Sequence, residues 1–446
     1  MLMTRNCFFS ALVLSVSVSA FGGNGFGQDW PQWNGPNRDG VLPNAKGFKP
    51  IPSDGLKLLW KQPVGMGYAG PVAAQGVVLV SDYEKKDGEI TNNPGVRDRL
   101  TGKERVVCFD AADGSERWVH AIDRPYALSY PGGPRATPVI ADGHVYSLGA
   151  EGDLHCLELV TGKVVWHRQM ADEYKTKSPI WGHAAVPLII GNKLICLAGG
   201  DNHLVVALDR KTGKEIWGAL SGDDIGYCPP ALVEHNGVKQ LLIWDPENVS
   251  SLNPDDGKLY WQQPVKPDYG MSVAPPILQK DLLFVSGEGV STMFRLGASP
   301  DKVQVLWRGS PKTSLGLSNT AAVFDGGYLY GADYQSGALV CADAATGKRM
   351  WQTAMPTLGL DRPRGGSNGA AYLIKADGFY YILSETGDVI SAVLSPKGYQ
   401  ETGRFHAIDP TNASSGRDIL WSFPAIANGT FLVRNDKEVM CFALPK

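Results

Sequence analysis

The chain has 446 residues, 43% of them hydrophobic and 20% charged, with a formal net charge of −3. That length allows a large buried core, and on length alone two or three domains would be expected. The near-neutral balance lacks the basic footprint of a nucleic-acid binder.

Residues 1–27 read as a secretory signal. Arg5 is the positive flank, and Phe8 to Ala20 is apolar but too short to span a bilayer. Val18-Ser19-Ala20 offers a small-residue cut, with Gly27 as a second choice. No Cys follows the cut, so no lipid anchor is expected, and no later segment approaches a membrane span. Loss of Arg5 takes the charge to about −4. The expectation is a soluble monomer, exported to the periplasm or the medium. Residues 28–55 form an N-terminal extension, and 56–446 a single domain.

That domain is organised by a repeated phrase. An Asp, Asn or Glu is followed four residues later by Gly and four after that by Trp. The copies are Asp110–Gly114–Trp118, Glu158–Gly162–Trp166, Asp209–Gly213–Trp217, Asn253–Gly257–Trp261 and Asp343–Gly347–Trp351. Successive Trp residues lie 44 to 51 apart, apart from one interval of 90 that a degraded copy, Ser299–Lys302–Trp307, splits into 46 and 44. A period in the forties with strand-like contents is the mark of a β-propeller. The acidic or amide side chain opens a turn by accepting a backbone N–H, and Gly supplies positive φ. The Trp, burying on the order of 200 Å², is placed to wedge between blades.

One repeat, Arg135 to Trp166, reads as four strands: Ala136–Ile140, His144–Gly149, Leu154–Leu157 and Val164–Trp166, joined by Asp-Gly and Gly-Asp turns. First strands begin near Gly70, Ala136, Ala184, Pro229, Ala274, Thr320, Gly369 and Pro424, which makes eight. The seventh blade lacks the Trp, and the last segment, from Pro424, supplies three strands. Leu56 to Trp60 is a Trp-ending strand with no blade of its own. The fold expected is therefore all-β: an eight-bladed β-propeller of four-stranded antiparallel blades, its ring closed by the N-terminal strand beside Glu438 to Leu444.

Cys108, Cys156, Cys341 and Cys441 recur at the third-strand position and read, with Cys196 and Cys228, as small buried hydrophobes. No Cys-x-x-Cys or other metal spacing occurs.

Blade topology puts phrase turns on one face and inter-blade links on the other. The links offer Tyr68, Arg135, His183, Tyr227, Asn319, Arg364 and Asn368. The second-to-third-strand turns on the same face offer Asp82, Glu151, Asp201, Asp245, Glu288, Asp333 and Glu385. First strands line the channel, so both sets are expected to rim one funnel that binds a protein partner or a small molecule. Its core candidates are Arg135, His183, Tyr227, Arg364, Asn368, Asp201, Asp333 and Glu385. His183, in Trp181-Gly182-His183, is the one general-base candidate. The stretch from Glu84 to Arg105 reads as a long polar turn on this face. No nucleophile elbow, zinc-protease motif or phosphate loop is present. Trp118, Trp166, Trp217, Trp261, Trp307 and Trp351 are read as structural.

The phrase, with Thr-Gly-Lys before the Trp in three copies, resembles the repeat of pyrroloquinoline quinone (PQQ) propellers. Asp29-Trp-Pro-Gln-Trp-Asn-Gly-Pro-Asn-Arg-Asp-Gly40, Arg362-Pro-Arg-Gly-Gly-Ser-Asn-Gly369 and Trp421-Ser-Phe-Pro-Ala-Ile-Ala-Asn428 are similar to a bacterial group of secreted PQQ-like proteins. The resemblance implies a propeller from about residue 56 to 446. For function it implies either a non-catalytic scaffold, like the propeller of the outer-membrane β-barrel assembly machinery, or a quinoprotein dehydrogenase. The assembly scaffold is a lipoprotein, whereas no lipidation Cys is seen here. The dehydrogenases use PQQ with Ca²⁺ held by Glu and Asn, an Asp base and an aromatic floor; many carry a disulfide of adjacent Cys, absent here. Trp244 with Asp245 is the one floor-like pair. The expectation is a binding or scaffold module with no catalytic residues, metal or cofactor, the PQQ-dependent enzyme being the alternative. A polysaccharide-binding or polysaccharide-cleaving propeller is a third reading.

Overall fold

The computed structural model describes residues 28–445 apart from 311 and 415; the expected signal, 1–27, lies outside the described residues. Eight blades of four antiparallel strands are arranged as a β-propeller, the first blade carrying a fifth short strand, Tyr126–Leu128. Their inner strands are Val72–Ala74, Val139–Ala141, Leu188–Ile190, Ala231–His235, Ile277–Gln279, Val323–Asp325, Ala371–Ala376 and Ala425–Ala427. Each core lies between neighbouring blades: Leu79 and Cys108 of the first pack with Val145 and Leu157 of the second. The six described cysteines are buried and unpaired.

The ring closes where expected. Lys57–Pro63 pairs antiparallel with Glu438–Ala443, placing Trp60 opposite Cys441. Three other repeats set Trp118 opposite Cys108, Trp166 opposite Cys156 and Trp351 opposite Cys341.

The phrase works as a joint. Asp110 accepts the Ala112 N–H at 2.8 Å through its side chain, and its carbonyl accepts the Gly114 N–H at 2.9 Å. Four of the Trp residues then bond to the next blade. Trp118, Trp166, Trp307 and Trp351 donate their indole N–H to the carbonyls of Leu159 (2.9 Å), Arg210 (3.0 Å), Ala344 (2.9 Å) and Ser395 (2.7 Å). The phrase Gly of that next blade lies flat under the ring: a Cβ on Gly162 would sit 2.5 Å from Trp118, and one on Gly213 2.9 Å from Trp166. Trp261 faces the degraded copy, which has no such Gly, and its indole turns to Gln240 of its own blade at 3.3 Å. Trp118 and Trp261 are buried, while Trp166, Trp217, Trp307 and Trp351 are half-buried.

Two segments differ from expectation. Glu84 to Arg105 is not a long turn. Val77–Asp87 and Asp98–Asp110 continue as one extended hairpin, Glu84 opposite Lys103, and the connection shrinks to residues 88–97. Asp98 ties it off by accepting both the N–H (2.7 Å) and the hydroxyl (2.8 Å) of Thr91.

The N-terminal extension, meanwhile, is built into the propeller. It runs under the ring on the phrase-turn side. Trp30 exchanges backbone bonds with Ala73, Pro31 accepts from Ile140, and Gly40 and Leu42 bond to Lys375. Arg38 is buried, donating to the carbonyls of Val186 (3.1 Å) and Pro230 (3.3 Å), to that of Pro187, and to Gln32 (2.8 Å). Burial pulls its guanidinium down to about 9. Further on, Ile51 replaces a missing Trp. Gly403 stands at the register position that Trp351 holds one blade earlier. Ile51 fills the gap, so a Cβ on Gly403 would come 2.1 Å from its carbonyl oxygen.

Candidate ligand-binding funnel

On the link face the channel opens into a cavity of about 630 Å³. Below it sits Trp33, brought up by the extension and packed edge-on against Phe423 with ring centroids 5.0 Å apart. Arg38 anchors the same segment to carbonyls just ahead of the third and fourth inner strands, which holds Trp33 in place as the floor.

The walls come from links that have no strand period, which is why their side chains are free to turn inward. Tyr68 and Arg135 meet on one side: the guanidinium lies 5.0 Å from the ring centroid and the two residues enter before blades one and two. Trp181 and Tyr227, before blades three and four, pack at 5.4 Å. Tyr130 and Trp421 pack at 6.0 Å. Tyr269 stands at the mouth, 84% exposed. Polar groups between these rings come from Glu288, Ser318, Asn319 and Asn368.

Two insertions meet at the mouth. Pro94 and Gly95, from the extended hairpin, line the cavity. Asn92 beside them donates to the Asn412 side chain and the Ala413 carbonyl, both at 2.9 Å. Residues 412–414 and 417–419 form a small hairpin, and Asn412 also donates to the Tyr68 hydroxyl at 2.9 Å.

Arg135 is held by carbonyls: Nη1 donates to Gly133 at 2.7 Å, and Nη2 to Ser129 at 3.0 Å and to Tyr130. No carboxylate ion-pairs with it among the described residues, and desolvation lowers its pKa. On the opposite wall Glu288 accepts the Ser318 hydroxyl at 2.6 Å, and burial raises its carboxyl.

Of the eight core candidates, the cavity brings together Arg135, Tyr227 and Asn368. From the wider sets, Tyr68, Asn319 and Glu288 join them. Arg364 is exposed and donates to Gln335 at 3.4 Å, outside the lining. Asp201 is exposed in a separate polar hollow with Arg168, Tyr174 and Glu215. His183 is buried behind the wall, and neither ring nitrogen has a partner among the described residues. Desolvation drives it down to about 4.

Asp333 and Glu385 are turned inward to hold links. Asp333 accepts the Gly316 N–H at 3.0 Å and pairs with Arg349 at 2.7 Å. Glu385 accepts the Ala370 N–H at 2.8 Å and pairs with Arg417 at 2.7 Å. Asp82 does the same with Gly65 and Arg105. A link that leaves a strand has unpaired N–H groups, and a turn carboxylate beside it is the nearest acceptor. Trp244 is packed in the core between blades four and five with its indole N–H on Val265, not on the funnel.

Trp181, Tyr130, Tyr269 and Trp421 are wall residues that the repeat does not point to. Their one signal in the sequence is an aromatic just ahead of an inner strand. No His, Cys, Lys or Asp is among the described lining residues. What this surface offers is ring faces, amides, hydroxyls and one fixed cation.

A family model described as outer membrane protein assembly factor BamB, of PQQ-repeat type, matches residues 102–353 and 296–440. The chain belongs to that family. It is 27% identical over 138 residues to BamB of Moranella endobia, across 29% of this chain and 30% of that one. It is 32% identical over 126 residues to a quinoprotein ethanol dehydrogenase of Pseudomonas aeruginosa, across 28% and 18%. The matched stretches thus span under a third of these curated relatives. Among solved structures, BamB from Moraxella catarrhalis superposes with a TM-score of 0.56 at 15% identity, over 87% of this chain and 98% of that one. A quinohemoprotein alcohol dehydrogenase from Comamonas testosteroni gives 0.59 at 13%, over 94% and 82%. At such identities the likeness shows the fold alone, so within the PQQ-type family the funnel must be read from its own residues.

Proposed function

We propose that this protein is an exported, non-catalytic propeller whose funnel holds a small ligand or the tip of a partner protein. The observation that carries this reading is the 630 Å³ cavity walled by Tyr and Trp and floored by Trp33. A pocket of that size, mostly apolar with few polar groups, is the usual form of a ligand site. Relatives named as assembly factors favour a binding or scaffolding role, although the matches cover only part of each.

The second reading, a PQQ-dependent dehydrogenase, draws on relatives named quinoprotein ethanol dehydrogenase. The wall residues do not fit a quinone held with Ca²⁺. Calcium takes six to eight oxygens, commonly from several carboxylates. Glu288 is the one carboxylate on the described wall, and it is raised by burial and engaged with Ser318. Among the described residues no three His, Cys, Asp or Glu side chains group as metal ligands. No helix among them is long and apolar enough to cross a membrane.

Thermal shift of the purified protein against metabolite and peptide libraries tests the funnel. Ala184→Trp fills the cavity from one wall. Ligands should raise the parent's Tm and leave the variant's unchanged. Hits that stabilise both equally would place binding elsewhere.

A further inference from the structure

Three features of the funnel do not follow from a merely apolar pocket, and together they narrow what it takes; the argument rests on the funnel being a ligand site. The first is backbone conformation. Tyr269 has φ +58 and Tyr130 has φ +48, in the left-handed region that bulky side chains avoid. Tyr269 is also 84% exposed, so no core packing compensates for that conformation. Strained residues of this kind cluster where a ligand is clamped. Here both line the cavity, with Tyr130 packed beside Trp421.

The second is charge. Arg135 is pinned by three backbone carbonyls and the Tyr68 ring, yet no carboxylate pairs with it among the described residues. Those bonds use three of its five N–H groups. Arg135 is part-buried at the cavity wall, and the N–H groups left over are free to meet an anion carried by a guest. A cationic guest is disfavoured by the same charge, and a polyphosphate would need more than one such group.

The third is the hydrogen-bonding set. Ser318, Asn319 and Thr320 line the cavity from one link and Asn368 from the next, and Glu288 is a carboxyl that burial biases toward its neutral form. Donors and acceptors interleaved with aromatic faces suit a guest with one apolar face and hydroxyls all round its edge.

We propose that the funnel binds an acidic saccharide, an oligosaccharide carrying a hexuronate, with the carboxylate at Arg135 and the sugar faces on the Tyr and Trp walls. Pyranose C–H faces stack on aromatic rings, ring hydroxyls meet the amides and hydroxyls, and the carboxylate supplies the missing charge.

The test is calorimetric titration of the full chain with a galacturonate trimer and with its neutral galactose counterpart. A charge-assisted hydrogen bond predicts about 10-fold or more preference for the acid. Tyr269→Ala, at an exposed site, should weaken the acid trimer several-fold at unchanged Tm. Arg135→Gln should erase the preference between the two sugars. Should that variant not fold, the acid-to-neutral ratio of the parent and the Tyr269→Ala result decide. Equal or tighter binding of the neutral trimer would overturn the assignment. So would a funnel that ignores both sugars yet binds a library compound that Ala184→Trp blocks; the ligand site would then stand and its ligand class fall. If no sugar and no library compound responds to Ala184→Trp, the ligand site itself is refuted.

Discussion

Trp60 lies over Gly114. A Cβ on that glycine would sit 2.7 Å from the indole, and the Trp60 N–H donates to Ala111 at 3.1 Å. The residue pair thus reproduces, across the closure, the contact that Trp118 makes with Gly162 and Leu159 one blade later. The repeat's unit of cohesion is therefore not a phrase within one blade. It is the Trp of one blade on the Gly of the next.

That relationship makes the glycine as costly to change as the tryptophan. Gly162 has φ +69 and would place a methyl 2.5 Å from the Trp118 ring. Gly162→Ala should destabilise by about 2–4 kcal/mol, combining the left-handed backbone with overpacking. Urea denaturation measures it, and a loss under about 1 kcal/mol would mean the joint yields freely.

The tryptophans should rank by their bonds. Trp118 is buried with its N–H on Leu159, whereas the Trp217 N–H is enclosed without a partner among the described residues. Trp118→Phe should cost about 1 kcal/mol more than Trp217→Phe, the worth of one such bond. Trp166→Ala, half-buried but bonded to Arg210, should cost about 3 kcal/mol, at the low end for large aromatics. Equal losses for Trp118→Phe and Trp217→Phe in chemical denaturation would remove the hydrogen bond from the account.

The fold was legible because its joint recurs. Trp60 could be located as the closing residue because Leu56 to Trp60 is a Trp-ending strand with no blade of its own and the last segment is one strand short. The funnel was legible only by face. Arg135, Tyr227 and Asn368 could be placed on a link, but Asp333 and Glu385 occupy equivalent turns and point into the blades. Whether a turn carboxylate faces solvent or a neighbouring N–H depends on the path of the adjoining link, and links carry no period. For the same reason Tyr269 and Trp421 gave no repeat signal. The extension's role in flooring the funnel was hidden too, because Trp33, Arg38 and Ile51 each meet partners more than a hundred residues away.

Deleting residues up to 60 should therefore do more than open the ring. It removes the strand beside Glu438–Ala443, the Ile51 filler against Gly403, and the Trp33 floor. The Tm should fall sharply. Arg38→Met keeps the closing strand and removes only the anchor. Its Tm should fall by a smaller amount, and funnel ligands should weaken as the floor loosens. A deletion that melts like the parent would show that the ring closes elsewhere.

The last prediction concerns acid. His155 is stacked on His167 at 4.3 Å and meets His120 edge-on at 4.7 Å. Burial first, then the neighbouring imidazoles and Arg124, push it down to about 3. Burial alone puts His183 at about 4. In the unfolded chain both would titrate near 6.5. Between those values the unfolded state binds protons that the folded state refuses, so stability is lost as pH falls below about 6.5. The slope is roughly 1 kcal/mol per pH unit for each histidine. Glu104 opposes this: burial raises it to about 7, so the fold keeps a proton that the unfolded chain releases above about 4.5. It offsets about one histidine over that window, so these three groups together contribute a net loss on acidification from pH 6 to 5. Urea denaturation at those two values should show the loss. His155→Phe, which keeps an aromatic in the stack, should flatten the slope by about one proton. A variant with the parent's full slope would mean that the histidine stack is not where acid acts.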